Sequence, residues 1–112
     1  MARVTVTPAA TSTDGAVVVP TEFIVDGIAI ANNGRRVVRI VNGSVGSINV
    51  TEQVNATVDG NIVPDKVVAL AAAGVAYFGP WSSIYEQEDG AVWIDVSAFA
   101  DVDYEVIELP AR

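Results

Sequence analysis

The chain has 112 residues, no cysteine, no histidine and a formal net charge of −8 at pH 7. Without cysteine or histidine it cannot form disulfides, histidine-based or thiolate catalytic centres, or zinc sites of the usual kind. Its negative charge is concentrated after residue 85, which argues against nucleic acid as a partner because phosphate contacts need a basic surface.

The apolar runs of the chain are rich in valine, isoleucine and threonine, and none shows a sustained helical period. Such runs favour strands over helices, so the composition predicts an all-β protein. A chain of this length fits one domain. It contains neither a signal-peptide core nor a run that approaches the roughly 18 apolar residues of a membrane span, so we expect no membrane partner.

The first 15 residues are predicted to form an extended N-terminal arm ahead of a single domain over residues 16–112. Residues 4–7 are a strand candidate that a proline ends, and small polar residues follow. One interpretation is a loosely held terminus. The other is an arm that acts in assembly, with Val4 and Val6 in a strand that pairs with an exposed edge of a neighbouring subunit.

Short β-branched runs separated by turn residues continue through the rest of the chain. Their roughly even spacing predicts an antiparallel β-sandwich or barrel of about eight short strands. The runs lie at residues 16–19, 23–25, 28–31, 37–41, 48–51, 67–71, 75–78, 91–97 and 103–109.

Two pairs of neighbouring runs are predicted to form hairpins. Asn42 and Gly43 take positive φ at low cost, so the runs on either side of them, 37–41 and 48–51, are expected to pair. The short connection at residues 72–74 is expected to pair the runs that flank it in the same way. Strict alternation assigns one face of four runs to the core. The predicted core residues are Val38, Ile40, Ile48, Val50, Val68, Leu70, Val92, Ile94 and Val96.

Three arginines, Arg35, Arg36 and Arg39, form the basic cluster of this acidic chain. They either balance nearby acidic residues or bind an acidic patch on a partner. Arg39 is the best interface candidate because Val37 and Val41 flank it on its own face of the strand. Its planar guanidinium suits a bidentate contact with a carboxylate.

The aromatic residues Trp81, Tyr85 and Trp93 occupy or follow a distinctive loop at residues 79–90. Aromatic residues near loops commonly plug a core, but tryptophan and tyrosine also dominate interface hot spots. We therefore include Trp81 and Tyr85 among the candidate interface residues. The serines of the chain have no histidine to activate them, so a conventional serine triad is excluded.

Glu86, Glu88 and Asp89 crowd the end of the same loop. Paired carboxylates can support glycoside or metal chemistry. Their spacing matches no hard-cation loop, however, and no second carboxylate partner is identifiable. We interpret them as a solvated acidic turn, with a cation or sugar site as the alternative. We expect no catalytic residue, no metal, no cofactor and no enzymatic activity.

Four short motifs between residues 33 and 97 resemble those of a known family. They are an Asn-Gly-Arg entry to a β-branched strand, an Ala-Gly turn, a Gly-Pro-aromatic loop that ends in tyrosine, and an Asp-Gly-x-Val-aromatic strand. The corresponding segments are Asn33-Gly34-Arg35, Ala73-Gly74, Gly79-Pro80-Trp81 through Tyr85, and Asp89-Gly90-Ala91-Val92-Trp93. This pattern resembles the small all-β virion proteins of tailed bacteriophages that are encoded near the major capsid protein.

The resemblance implies a head decoration, or cement, protein on the capsid surface of the virion, synthesised in the host cytoplasm. Its implied partners are the major capsid protein and further copies of itself, with a trimer favoured. A head–tail connector or tail component is compatible with the same size and strand content. An alternative of another class is a carbohydrate-binding β-sandwich that uses Trp81, Tyr85 and Trp93 as a stacking platform.

Overall fold

A computed structural model of the chain describes residues 3–10, 20–55 and 57–109. Over these ranges the secondary structure consists of twelve strands and one 3₁₀ turn, which confirms the predicted all-β class. The strands are β1 (Val4–Thr5), β2 (Ala9–Ala10), β3 (Thr21–Glu22), β4 (Ile28–Ala31), β5 (Arg36–Asn42), β6 (Ile48–Glu52), β7 (Thr57–Val58), β8 (Asn61–Ile62), β9 (Lys66–Leu70), β10 (Val75–Phe78), β11 (Ala91–Val96) and β12 (Val102–Glu108). The 3₁₀ turn is Ser83–Tyr85.

Two five-stranded sheets pack face to face, so the predicted β-sandwich is confirmed. The first sheet has the strand order β1-β4-β11-β6-β9, and the second has the order β10-β5-β12-β2, with β3 also paired to β12. The sheets are mixed rather than purely antiparallel, because β1 lies parallel to β4 and β2 lies parallel to β12. Strands β7 and β8 form a separate hairpin around Asp59 and Gly60. No helix in the described part of the chain is long and apolar enough to cross a membrane.

The core between the sheets follows the predicted alternation. Seven of the nine predicted residues are buried, and Val68 and Val96 are partly buried against the same cluster. The loops and last strand add Phe23 and Tyr104, whose rings meet edge to face at 4.8 Å. The alternation of apolar residues along these strands therefore predicted correctly which face of each strand points into the core.

Neither predicted hairpin is present. Strand β5 pairs with β10 and β12 in the second sheet, whereas β6 pairs with β9 and β11 in the first. The connections β5–β6 and β9–β10 therefore cross from one sheet to the other as arches. Hairpin partners exchange backbone hydrogen bonds within one sheet, but arch partners face each other through their side chains. The hairpin predictions were wrong because turn residues signal a reversal of the chain without specifying the sheet that it enters.

The buried side chain of Asn42 links the two arches. Asn42 is 0 % exposed, and its Nδ2 donates to the carbonyls of Gly46 at 2.9 Å, Leu70 at 3.1 Å and Ala71 at 3.2 Å. Its Oδ1 accepts from the backbone N–H and the hydroxyl of Ser44. One amide thus donates to carbonyls of both arches, and its own buried polar atoms are satisfied.

The predicted N-terminal arm lies along the body of the same chain where it is described. The backbone N–H groups of Val4 and Val6 donate to the carbonyls of Gly27 and Ala29, which places this segment beside β4. Both valine side chains are partly buried against the core. Strand β2 then pairs with β12 in the second sheet. Residues 11–15 of the predicted arm and the predicted strand at residues 16–19 lie outside the described residues.

The core assignment predicts the cost of truncating individual side chains. Ile40→Ala and Ile94→Ala should each lower the free energy of unfolding by about 2–4 kcal/mol, because both side chains are fully buried. Urea denaturation followed by circular dichroism measures this loss. Ile62→Ala is the matched control, since Ile62 is 81 % exposed and its truncation should change stability little. Equal effects at all three positions would contradict this core.

Removal of the Asn42 side chain should reduce stability more than the same change at a surface asparagine. Asn42→Ala should lower the free energy of unfolding by about 2–4 kcal/mol, because it removes a fully buried amide together with its hydrogen bonds to both arches. The control is Asn49→Ala, at an exposed position on β6. The same denaturation experiment compares the two variants, and a small effect of Asn42→Ala would show that the arches do not depend on this amide.

Candidate functional site: the outer face of the second sheet

A polar row crosses the outer face of the second sheet at Arg39. Because Val38 and Ile40 point into the core, Arg39 points outward from β5. In the strand register its neighbours are Tyr77 on β10 and Glu105 on β12. Arg39 Nη1 donates to Glu105 Oε1 at 2.6 Å. The hydrogen bond to Glu105, together with one to Tyr77, raises the pKa of the Arg39 guanidinium.

Apolar pairs flank this row on both sides. Val37 lies opposite Ile107 on one side, and Val41 lies opposite Val75 on the other. Val75 is 45 % exposed and Tyr77 is 66 % exposed, so apolar and aromatic surface faces outward around a central ion pair. We call the row and its flanking pairs the docking face. The docking face consists of Val37, Arg39, Val41, Val75, Tyr77, Glu105 and Ile107.

The docking face contains a shallow cavity. It has a volume of about 210 Å³ and is lined by Val37, Arg39, Tyr77, Glu105 and Ile107. Its polar groups are already ordered by the Arg39–Glu105 ion pair. A partner that binds here therefore meets a preformed surface and loses less side-chain entropy than it would on a disordered one.

The other two arginines of the basic cluster contact Glu108 at one end of the second sheet. Arg36 Nε donates to Glu108 Oε1 at 2.8 Å, and Arg35 lies 3.8 Å from its other carboxylate oxygen. Asn33 donates to the same carboxylate at 2.9 Å. The hydrogen bonds from Arg36 and Asn33 lower the pKa of Glu108. Arg35 and Arg36 therefore balance the charge of Glu108, whereas binding to an acidic patch on a partner stays a prediction.

Trp81 does not share an exposed surface with Arg39. Trp81 is 6 % exposed, and its indole Nε1 donates to the buried carboxylate of Glu52 at 2.7 Å. Tyr85 is partly buried against the core cluster. The expectation of an exposed aromatic docking loop is therefore corrected, because Trp81 has the alternative role of a core plug.

Gly79 accounts for the inward course of the loop. It adopts a φ of +102°, a region that other residues rarely enter, and a Cβ here would lie 2.6 Å from the carbonyl oxygen of Arg36. The same atom would lie 3.2 Å from the Trp81 ring. Close packing of the glycine backbone against β5 thus allows the following tryptophan to enter the sandwich.

Two of the three acidic residues of the loop, Glu86 and Asp89, accept hydrogen bonds from within the chain. Glu86 accepts a hydrogen bond from Asn32 at 2.9 Å. Asp89 accepts one from the backbone N–H of Ala91 at 3.0 Å and one from the Trp93 indole at 3.3 Å. Within the described ranges, no group of three or more histidine, cysteine, aspartate or glutamate residues could hold a metal ion. These contacts stabilise the turn.

The sequence-based predictions missed three residues that matter here. Tyr77 and Glu105 complete the row around Arg39, but Glu105 is 66 positions away in sequence and only the strand register brings it there. Glu52 was missed although it shares the parity of Ile48 and Val50, both predicted core residues. That parity is the signal that could have identified it as inward-facing.

The position of Trp81 predicts a structural effect of its removal. Trp81→Ala should lower the free energy of unfolding by about 3–5 kcal/mol, since it deletes a buried ring and leaves the Glu52 carboxylate without its indole donor. Thermal and urea denaturation measure the loss. Phe99→Ala is the control, because Phe99 is an exposed aromatic residue. A stable Trp81→Ala domain would restore the exposed-loop interpretation.

Comparisons with known proteins add no further information about this site. No protein-family model, no curated protein and no solved structure matches the chain.

Proposed function

We propose that the chain is a structural protein of a tailed-bacteriophage virion that decorates the head. In this proposal, it binds the outer surface of the major capsid lattice through its docking face and reinforces the shell. Two things support it: the resemblance of residues 33–97 to small phage virion proteins, and the docking face itself. The observation that carries it is the ordered Tyr77–Arg39–Glu105 row between two apolar pairs on an exposed sheet.

The chemistry of the docking face suits attachment in many copies. Tyrosine and arginine are the residue types that contribute most at protein interfaces, and here both are central and flanked by aliphatic side chains. Because Arg39 is already paired with Glu105, the centre of the face offers little unbalanced charge. Each contact can therefore be modest, since a lattice of sites and self-association into a trimer would supply avidity.

The carbohydrate-binding alternative finds less support in the geometry. Trp81 lies between the sheets, whereas Trp93 alternates with core residues and points out of the first sheet, where the Arg3 guanidinium lies 4.8 Å from its ring centroid. The two rings are thus on opposite sides of one sheet and cannot form a single platform with Tyr85. A sugar site would have to be built from fewer aromatic residues.

Capsid binding tests the proposal directly. Arg39→Ala and Tyr77→Ala should each reduce occupancy on capsids that lack this protein by an amount equivalent to at least about 1 kcal/mol. Sedimentation of purified capsids with added variant, followed by quantification of bound protein, measures occupancy. Both variants should remain folded, because both side chains lie outside the core.

Val67→Ala is the matched control, since Val67 is 56 % exposed on β9 of the first sheet, outside the docking face. It should bind capsids as the unchanged protein does. Full occupancy by both docking-face variants would show that another surface of the protein contacts the capsid. If the unchanged protein ignored capsids but assembled into rings of high cyclic symmetry, the connector alternative would replace decoration.

A further inference from the structure

A second cavity opens at the flank of the sandwich, between the edge strands β9 and β10. Its volume is about 370 Å³. The inward-facing residues that border it are Val68 on one sheet and Ala76 on the other, and neither is large enough to close the gap. Glu52 and Trp81 are also among the residues that line it. We call it the flank cavity.

Glu52 is unusual among the acidic residues of the chain. It is 5 % exposed, and its Oε1 accepts a hydrogen bond from the neutral indole of Trp81. Lys66 lies opposite it in the strand register, yet the Lys66 side chain is exposed. In the part of the chain that the structure describes, no lysine or arginine nitrogen lies within 4.0 Å of Glu52, whereas Asp95, Glu105 and Glu108 all have arginine partners.

A buried carboxylate without a cation is energetically unfavourable. Transfer of a charge from water into a protein interior is costly unless a counter-charge and hydrogen bonds compensate for it. A single indole N–H supplies one hydrogen bond and no charge. A cation that entered the flank cavity would therefore gain an interaction that the protein itself leaves unmade.

The walls of the flank cavity favour the same kind of ligand. Phe78, Trp81 and Tyr85 contribute to its lining. The face of an aromatic ring attracts a cation, most strongly where water is excluded. The net charge of −8 also raises the concentration of cations near the surface. Lys66 opposes this at the rim, but its exposed charge is screened by solvent and salt more than the buried carboxylate is.

We propose that the flank cavity binds an organic cation, an alkylammonium or guanidinium group, with Glu52 as its counter-charge and the aromatic residues as its walls. The group could belong to a free amine or to a lysine or arginine side chain of a partner protein. The recognising chemistry is the same in both cases. This inference does not rest on the proposed capsid role, and small probes test it without capsids.

Nuclear magnetic resonance of the Trp81 indole N–H gives a direct readout, because this proton points at Glu52. The probes are n-butylammonium, n-butylguanidinium, neutral n-butanol and anionic butyrate. The two cations should cause a saturable shift of the Trp81 resonance, and butanol should bind at least about tenfold more weakly. A Trp93→Phe variant assigns the signal. Nα-acetyl-lysine N-methylamide represents a lysine side chain of a partner protein. A cavity that receives such a side chain should bind this compound as well as it binds the free amine, whereas a site for free amines should bind it more weakly.

Glu52→Gln tests the counter-charge, since glutamine keeps the size of the side chain and an acceptor for the indole. It should weaken binding of n-butylammonium at least about tenfold. Glu88→Gln is the matched control, because it removes the same charge from an exposed position outside the cavity. Lys66→Gln should strengthen binding by removing a like charge at the rim.

Tyr85→Leu provides a second variant in case Glu52→Gln does not fold. It should weaken binding of n-butylammonium several-fold while preserving most of the apolar bulk. The proposal fails if no cation shifts the Trp81 resonance saturably, if Glu52→Gln binds like the unchanged protein, or if butanol binds as well as butylammonium. Preference for butyrate, reduced by Lys66→Gln, would identify an anion site instead.

Discussion

The fold depends on one buried amide at the point where two arches meet. Asn42 ends β5, and its Nδ2 donates to Gly46 in its own arch and to Leu70 and Ala71 at the start of the other. Its backbone also pairs with residues 73 and 74, which extends the ladder between β5 and β10. A single residue therefore makes hydrogen bonds to both connections that pass between the sheets.

Both candidate sites are consequences of this arrangement. The arches place β9 and β10 at the same flank of the sandwich, and each is the last strand of its sheet in the described part of the chain. The outer side of β10 contributes Val75 and Tyr77 to the docking face, while its inner side borders the flank cavity through Ala76. Without the arches, the two edges would not meet and the flank cavity would not exist.

The extent of sequence-based prediction follows from how local each feature is. Alternation is local, so the core faces of β5, β6, β9 and β11 could be predicted. Asn42 and Gly43 predicted a reversal of the chain but not its type. In the arch, the Asn42 side chain donates to the carbonyls of Leu70 and Ala71, which are 28 and 29 residues away in sequence. The Arg39–Glu105 pair likewise depends on a register between distant strands. Local patterns could therefore identify Arg39 as outward-facing and Glu52 as inward-facing, but not the distant residues that complete either site.

Charge distribution distinguishes the two candidate sites. Arg3, Arg35, Arg36 and Arg39 are each engaged by an acidic residue on the surface, although surface ion pairs contribute little to stability. The two charged groups at the centre of the docking face, Arg39 and Glu105, are paired with each other, so its selectivity should come mainly from shape and from the apolar pairs around Arg39. Glu52 is buried and lacks such a partner in the described structure. The flank cavity is therefore the place where the charge of a ligand, rather than its shape, should decide binding.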